Sequence, residues 1–546
     1  MCGIFAVFND NEHDKYESNF HNGKNRGPDN STLLTISEKL LLGFHRLSIN
    51  GLNDESNQPL YHGSVILICN GEIYNHQELV KQLDVKMNSS SDCEIIIHLY
   101  QKYGIEQTLQ MLDGVFAFIV IDTNSKKSFV CRDPYGVRPL MMYKQKHVVI
   151  FGSELKFFES HIVYDHDTLK QFAPGHFMEL YYDEHSQCFL EQRYVPYTHF
   201  PFSYSRDNVT ISQVDENILS NIRYYFQRAV QKRIENTDRE VCCLLSGGLD
   251  SSLVCAIAQQ YTSQPIRTFS IGLPNSVDLK MAKLVAHHIG SIHKEIIVSE
   301  EDFFNTIPEV IKTIESYDTT TVRASVGNYL VAKYISENTD CKVVLNGDGS
   351  DELVGGYLYF NACKDSFEFD KECKRRLRDI SHFDVLRSDK SISGNGLEPR
   401  TPFLDRYWVQ YYLSLSPTIR NHNVNGKMEK FLLRKAFDTT NLLPDAVIWR
   451  RKEAFSDGVS DESKSWSEII QEKVELLPST IIEKMNITYN FNNATSKEQQ
   501  YYRYLFELYY KHCEKTIPYF WMPKYVNASD SSARTLSLYQ QSKNQI

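Results

Sequence analysis

Up to about Tyr194 the apolar positions come in short β-branched and aromatic runs, GIFAVF, LLLGFHRLSI, VILICNGEIYN, VFAFIVIDT, SFVCRDPYG and HVVIFGSE, parted by Gly, Asn, Pro and Asp. Runs of this length and composition predict strands. One segment breaks the pattern: Ile95, Ile96, Leu99 and Tyr100 recur at helical spacing and predict a helix over roughly Asp92 to Tyr103. The stretch THFPFSYSRDNVT at 198–210 has no steady period, and the connection between two domains is expected there. From about Ile218 onward the strand-like VCCLL, PIRTFSIG and KVVLN alternate with the helical LVCAIAQQY, DLKMAKLVAHHIG and SVGNYLVAKYISEN. That alternation predicts a parallel sheet covered by helices. The expected organisation is a first domain over 1–205, a second over 206–525, and a polar, flexible tail over 526–546, with KRRLR at 374–378 as a solvated helix face.

Composition narrows the partners. Hydrophobic residues at 42% and charged residues at 23%, with a mean hydropathy of -0.40, give a folded, soluble chain. A net charge of -10 argues against nucleic acid or an anionic membrane surface as the main partner and favours small molecules. The 12 cysteines include no CxxC pair, so zinc has little support and a reduced, cytoplasmic setting is expected. MCGIFAVFND lacks the basic start of a signal peptide, and no stretch approaches the length of a membrane span.

Cys2 follows the initiator Met, and removal of that Met would place a thiol and an α-amine on one residue. Such an amine titrates near neutral pH, so it can take the thiol's proton while the thiolate attacks an amide carbonyl. Alone, Cys2 reads more readily as a buried residue of the first strand. Its company is RGPD at Arg26–Asp29, HRLSIN at His45–Asn50, NGEIYN at Asn70–Asn75 and SDCE at Ser91–Glu94. The side-chain amide of Asn70 beside the N–H of Gly71 can face an oxyanion, or the two can form a turn. Arg46 can meet the carboxylate of a glutamine and Asp92 its ammonium, although Asp92 also suits a helix N-terminus.

MCGI, RGPD, HRLSI, NGEIYNH, LDGVFAF and RDPYGVRPL together resemble the glutamine amidotransferase domain of the N-terminal-nucleophile type, over most of residues 1–180. The resemblance implies an αββα sandwich with Cys2 as nucleophile, its amine as base, and Asn70 and Gly71 as oxyanion hole. It places Arg46, Leu47, Ser48, Ile49, Asn50, Glu72 and Asp92 around the glutamine.

A second site is carried by SGGLDSS, Ser246, Gly247, Gly248, Leu249, Asp250, Ser251 and Ser252, between the apolar VCCLL and a helix. A strand, a Gly-rich turn and a helix N-terminus make an anion cradle, and the absence of a Walker lysine disfavours the common P-loop. The loop looks like the PP-loop of enzymes that adenylate a carboxylate and release pyrophosphate, in which Asp250 would hold Mg2+. VLNGDGSDELVGGY adds Asp348, Asp351 and Glu352, a negative cluster that a cation would relieve, and WRRKEAFSDG adds Lys452 with Arg450 and Arg451 for phosphate charge.

Both halves together resemble the glutamine-hydrolysing asparagine synthetases, through TFSIG, ESYDTTTVRAS, NGDGSDELVGGY, EPRTPFLD, EKFLLRKAF and KEAFSDG, and through WMPKYVNASDSSARTL near the end. The resemblance implies a mixed α/β and α+β chain whose second domain is a PP-loop ATP pyrophosphatase with a parallel sheet flanked by helices. It places Leu245, Ile271, Asn346 and Gly347 around ATP, Asp250 and Asp351 on Mg2+, Lys452 on phosphate, and Thr320 and Arg323 on aspartate or its adenylate. The expected reaction is ATP-dependent amidation of L-aspartate with ammonia from L-glutamine, and a homodimer is compatible with it. Two departures stand out: Asp348 occupies a position where the family commonly has a Glu proposed as general base, and Asn346 replaces a Ser, which would narrow the adenine pocket. Two other readings are a β-lactam synthetase-like cyclase, which needs no glutaminase, and a catalytically silent homologue.

Overall fold

The computed structural model describes residues 1–158, 168–201, 214–461 and 464–539. Two six-stranded antiparallel sheets build the first domain. One runs, edge to edge, Lys170–Gln171, Met141–Gln145, Val148–Gly152, Gly3–Phe8, Leu40–Arg46 and Asn30–Ser37. The other runs Cys188–Pro196, His176–Asp183, Lys127–Arg132, Gly114–Asp122, Val65–Ile73 and Leu60–His62. GIFAVF is buried at every position because both faces of its sheet are covered. Ile4, Ala6 and Phe8 meet Ile66, Ile68, Ala117 and Ile119 between the sheets. Helices His76–Leu83 and Ile95–Met111 cover the second sheet through Leu79, Leu83, Ile96 and Leu99, and the short helix Glu17–His21 lies on the first. This is the αββα sandwich.

The second domain has one parallel sheet, ordered Ile292–Ile297, Arg267–Gly272, Val241–Leu244, Val343–Leu345, Glu398–Arg400. The chain leaves Val241–Leu244 in one direction and then returns to its other side. The order therefore reverses between Val241–Leu244 and Val343–Leu345, and a crevice forms beyond their carboxyl ends. Helices Leu249–Gln260, Val277–Ile289, Thr319–Asn338 and Asp384–Ser393 lie among those around this sheet.

The domains share a buried boundary. On the outer face of the first sheet, Phe5, Val7 and Leu41 belong to one apolar cluster with Ile307, Ile311 and Tyr317 of the second domain. Arg26 pairs with Glu154 at 2.8 Å and with Asp389 at 2.7 Å, all three nearly free of solvent.

Several expectations change. The helix read at Asp92 begins as a 3-10 turn, Asp92–Glu94, and continues to Met111 across a break at Gly104, where φ is 75°. The sequence pattern does not mark Ile292–Ile297 and Glu398–Arg400 as strands, since one is a largely exposed edge with His, Lys and Glu between its isoleucines and the other is only three residues long. KRRLR is not a solvated face: Arg376 is 2% exposed and bonds Tyr359, Glu372 and the Met522 carbonyl. The tail expected to be flexible is held as far as Tyr539, because its polar residues find ionic partners: Asp530 on Arg323, Ser532 on Asp457, and Arg534 and Tyr539 on Glu453. The expected boundary at 205/206 lies outside the described residues. No helix among the described residues is long and apolar enough to cross a membrane.

Candidate active sites

Cys2 is half-buried immediately before the first strand, with its thiol 3.7 Å from the Leu47 carbonyl. Burial pushes the thiol up to about 11, so it is protonated at neutral pH and needs a base to become a nucleophile. The amine of Met1, 3.2 Å from the Leu397 carbonyl, is lowered to about 5 by burial. Arg26 of RGPD donates from Nε to the Cys2 carbonyl at 2.9 Å while its Nη1 holds Asp389, so the nucleophile's backbone is tied to the second domain.

Asn70 and Gly71 lie inside strand Val65–Ile73, paired with Ala117 and Phe116, so they are not a turn. Gly71 is required by packing, since a Cβ there would come within 2.5 Å of the Val115 carbonyl oxygen. Asn70 is fully buried, yet neither its Oδ1 nor its Nδ2 has a partner. A buried amide left open in this way is poised for a ligand. Glu72 accepts from Asn50 Nδ2 at 2.7 Å and Asn236 Nδ2 at 2.9 Å. Burial and the neighbouring Asp92 push the Glu72 carboxyl well above its ordinary range. Burial also raises Asp92, whose Oδ2 accepts from the Ile73 N–H at 2.6 Å.

Arg46 donates to the Asn53 carbonyl at 2.9 Å, to Asn57 Oδ1 at 2.7 Å and to the Gly51 carbonyl, and so braces the loop that carries Leu47, Ser48, Ile49 and Asn50. Asp29 fixes the same loop by accepting from the Ser48 N–H at 2.8 Å.

The second site fills the crevice predicted by the sheet order. Leu245, Ser246, Gly248, Leu249, Asp250, Ser251, Ile271, Asn346, Gly347, Asp348, Asp351, Thr320 and Lys452 line a single cleft. Gly247 and Ser252 stand behind it, Gly247 against the backbone of Met281 and Ala282. Gly347 allows the two loops to touch, since a Cβ would lie 2.8 Å from the Ser251 nitrogen.

Asp250 and Asp351 converge on one cation, the Lys430 ammonium, at 2.5 Å from each, and Asp351 also meets Lys452 at 2.7 Å. Among the described residues no group of three or more His, Cys, Asp or Glu gathers around a metal position. Two facing carboxylates nevertheless fit Mg2+, which keeps water and shares its coordination with substrate phosphates.

Deeper in the cleft, Arg387 bridges Asp348 and Asp384 at 2.7 Å each, and the Tyr357 hydroxyl lies 2.5 Å from Glu352 and 2.6 Å from Asp384. Burial raises Asp348 and lifts Glu352 well above the carboxylate range, whereas Arg387 holds Asp384 well below it. Asn346 bonds Ser388 at 2.6 Å, bracing this loop on helix Asp384–Ser393.

One assignment fails. Arg323 does not line the cleft, because its guanidinium is consumed by Glu498, at 2.8 and 2.5 Å, and Asp530, at 2.7 and 2.8 Å. Thr320, with a buried hydroxyl that has no partner, stays in the cleft. Lys430, Arg387, Asp384 and Tyr357 were not singled out from sequence. Lys430 stands within EKFLLRKAF, where nothing local separates it from Arg434 or Lys435, and nothing in the helical pattern of 384–393 tells which face meets the cleft.

A family model described as asparagine synthase matches residues 221–368 and 362–514, and one described as glutamine amidotransferase domain matches residues 1–213. The chain is 40% identical to the asparagine synthetase (glutamine-hydrolyzing) of Gallus gallus over 562 residues, covering 99% of each chain. It is similarly 40% identical to that of Homo sapiens and 39% identical to that of Mus musculus, again over 99% of each chain. These matches extend across both clefts, and the chain belongs to the family of glutamine-hydrolysing asparagine synthetases.

Proposed function

We propose that this chain makes L-asparagine from L-aspartate and ATP with ammonia released from L-glutamine, yielding AMP, pyrophosphate and glutamate. The observation that carries the reading is the open, buried amide of Asn70, in a strand that packs against the one Cys2 precedes, in a chain whose second domain closes an acid- and lysine-lined crevice on a Gly-rich loop. A glutaminase site alone would release ammonia to water; a synthetase site supplies its use.

In the first site, Cys2 attacks the glutamine side-chain amide. Removal of Met1 would place an α-amine on Cys2 to accept the thiol proton, which burial otherwise retains. Asn70 Nδ2 and the Gly71 N–H would face the oxyanion, Asp92 and Glu72 the ammonium end, and Arg46 the carboxylate. Water then frees glutamate from the thioester.

In the second site, the loop Ser246–Ser252 would cradle ATP, with Lys452 and Arg450 facing phosphate charge. Mg2+ held by Asp250 and Asp351 would neutralise the triphosphate and the departing pyrophosphate. The β-carboxylate of aspartate, near Thr320, attacks the α-phosphorus, and ammonia then attacks the acyl carbon of the adenylate. Asp348, held by Arg387, would accept the ammonia proton; its shorter arm keeps the charge of the family's Glu. The 12 free thiols suit a reducing, cytoplasmic setting.

The deciding experiment measures pyrophosphate release with aspartate, ATP, Mg2+ and glutamine, identifying asparagine as product. Release that does not depend on aspartate would overturn the reading.

A further inference from the structure

The loop Trp449–Ala454 contributes Arg450, Arg451, Lys452, Glu453 and Ala454 to the nucleotide cleft, yet lies between two one-turn helices, Asp445–Ile448 and Phe455–Gly458, with no regular structure of its own. On its inner side Arg450 donates to the Gly247 carbonyl at 3.0 Å and to Asp278 at 2.9 Å, and Lys452 meets Asp351 at 2.7 Å. Its outer side is held by the end of the chain. Arg534 donates to Glu453 Oε1 from Nε at 3.1 Å and Nη2 at 2.8 Å, and the Tyr539 hydroxyl reaches the same oxygen at 3.1 Å. Arg451 stacks over the Tyr539 ring at 4.7 Å, and Ser532 Oγ donates to Asp457 at 2.8 Å. The segment is rooted by Asp530 on Arg323, whose helix also supplies Thr320, Ala324 and Asn328 to the cleft, and by Leu536, only 3% exposed.

We propose that Asp530–Tyr539 is a strap over the nucleotide loop, and that Arg534 and Tyr539 are positioning residues for the synthetase reaction. This rests on the reading of the crevice as the ATP site. Glu453 stands among like charges, with Asp278 and Asp351 each tied to a basic residue of its own loop. Its Oε2 lies 3.6 Å from Arg450, whereas its Oε1 takes all three donors of the strap. With a cation of its own, Glu453 does not draw Arg450 from Gly247 or Lys452 from Asp351. Both basic residues stay aimed at the phosphate side of the cleft, and the loop is ordered before nucleotide arrives, so binding does not bear that entropy. The strap touches none of the glutamine-site residues, which makes its effect separable.

The test compares full-length Arg534→Ala, Arg534→Lys and Tyr539→Phe with the parent enzyme. Arg534→Ala should raise the KM for ATP in aspartate-dependent pyrophosphate release by about tenfold, with kcat at saturating ATP within about twofold and glutaminase activity unchanged. Arg534→Lys should recover part of that shift. Trypsin should cut faster after Arg450, Arg451 and Lys452 in Arg534→Ala, and ATP should slow the cutting. An unchanged KM for ATP together with unchanged cutting in Arg534→Ala overturns the strap. Where Arg534→Ala fails to fold, Tyr539→Phe decides: a raised KM for ATP with intact glutaminase supports the strap, and an unchanged one overturns it. Asp250→Asn in the same assay separates the two readings. Full pyrophosphate release there would sink the nucleotide-site reading itself, whereas its loss beside an unaffected Arg534→Ala sinks the strap alone.

Discussion

Arg400 and Glu72 meet across the domain boundary as an ion pair with an N···O distance of 3.0 Å. Glu72 sits two residues after Asn70 in a strand of the first domain, and Arg400 ends the edge strand of the second domain's sheet. Arg400 also bonds Glu398 at 2.8 Å and the carbonyls of Arg233 and Asn236, so one guanidinium ties the strand of Asn70 and Glu72 to the second domain's sheet. Replacing it by Met would leave buried Glu72 without its ion-pair partner and Glu398 with only Arg138, at 3.8 Å. Arg400→Met should lower unfolding stability by about 3–5 kcal/mol and raise the KM for glutamine. Urea unfolding with glutaminase kinetics checks this, and a loss below about 1 kcal/mol would show that the pair is dispensable.

Cys2→Ala should abolish glutamine-dependent synthesis and leave ammonia-dependent synthesis in place, because the second crevice shares no residue with the first. Parallel assays with glutamine and with ammonium as nitrogen source give the answer. Loss of both activities with the fold intact would contradict the division of labour.

Among the described residues Lys430 is the one ammonium that Asp250 and Asp351 share. Lys430→Met should therefore destabilise the chain by about 3–5 kcal/mol in the absence of nucleotide, since two carboxylates face each other without their common cation. Mg2+ with ATP should restore more thermal stability to the variant than to the parent. Thermal melts with and without Mg2+ and ATP report this, and equal shifts in both proteins would remove the cation role assigned to the pair.

Burial raises the carboxyl of Asp278, beside Arg450, to about 6 from an ordinary 3.8. Between these values the folded carboxyl keeps a proton that the unfolded chain has lost, so this group's contribution to stability is complete below about pH 4 and fades as pH rises through 6. The difference in stability between the parent and Asp278→Asn should accordingly change in favour of the variant across that window. Unfolding at several pH values measures the difference, and a flat one would mean that Arg450 has cancelled the burial.

At Gly347 an added methyl would lie 2.8 Å from the Ser251 nitrogen and 2.9 Å from Asp250 Cβ. Gly347→Ala should push the two loops apart at a cost of about 1–3 kcal/mol and weaken ATP binding by roughly tenfold. Glutaminase activity should persist. Nucleotide affinity measured by calorimetry tests the contact.

The core strands were legible because both faces of their sheets are buried, which turns GIFAVF and VCCLL into unbroken apolar runs. The loops at both sites were legible because close approach demands Gly and anion binding demands a strand ending in a helix. Arg323 misled, since a conspicuous arginine near a cleft says nothing about which carboxylates it meets; two of them, Glu498 and Asp530, lie at least 175 residues further along the chain. The tail misled in the same way: ASDSSAR is polar enough to suit water, but its partners Arg323, Asp457 and Glu453 come from elsewhere in the fold. Lys430 and Arg387 are decided by tertiary placement that no local pattern carries.

The apolar cluster that takes in Phe5, Val7 and Leu41 from one domain and Ile307, Ile311 and Tyr317 from the other makes the two chemistries mechanically inseparable. A chain nicked between the domains would still travel as one particle on a sizing column, and an isolated amidotransferase half would carry a raw hydrophobic wall into solution. Either site can be altered in place, but parting the halves exposes that wall.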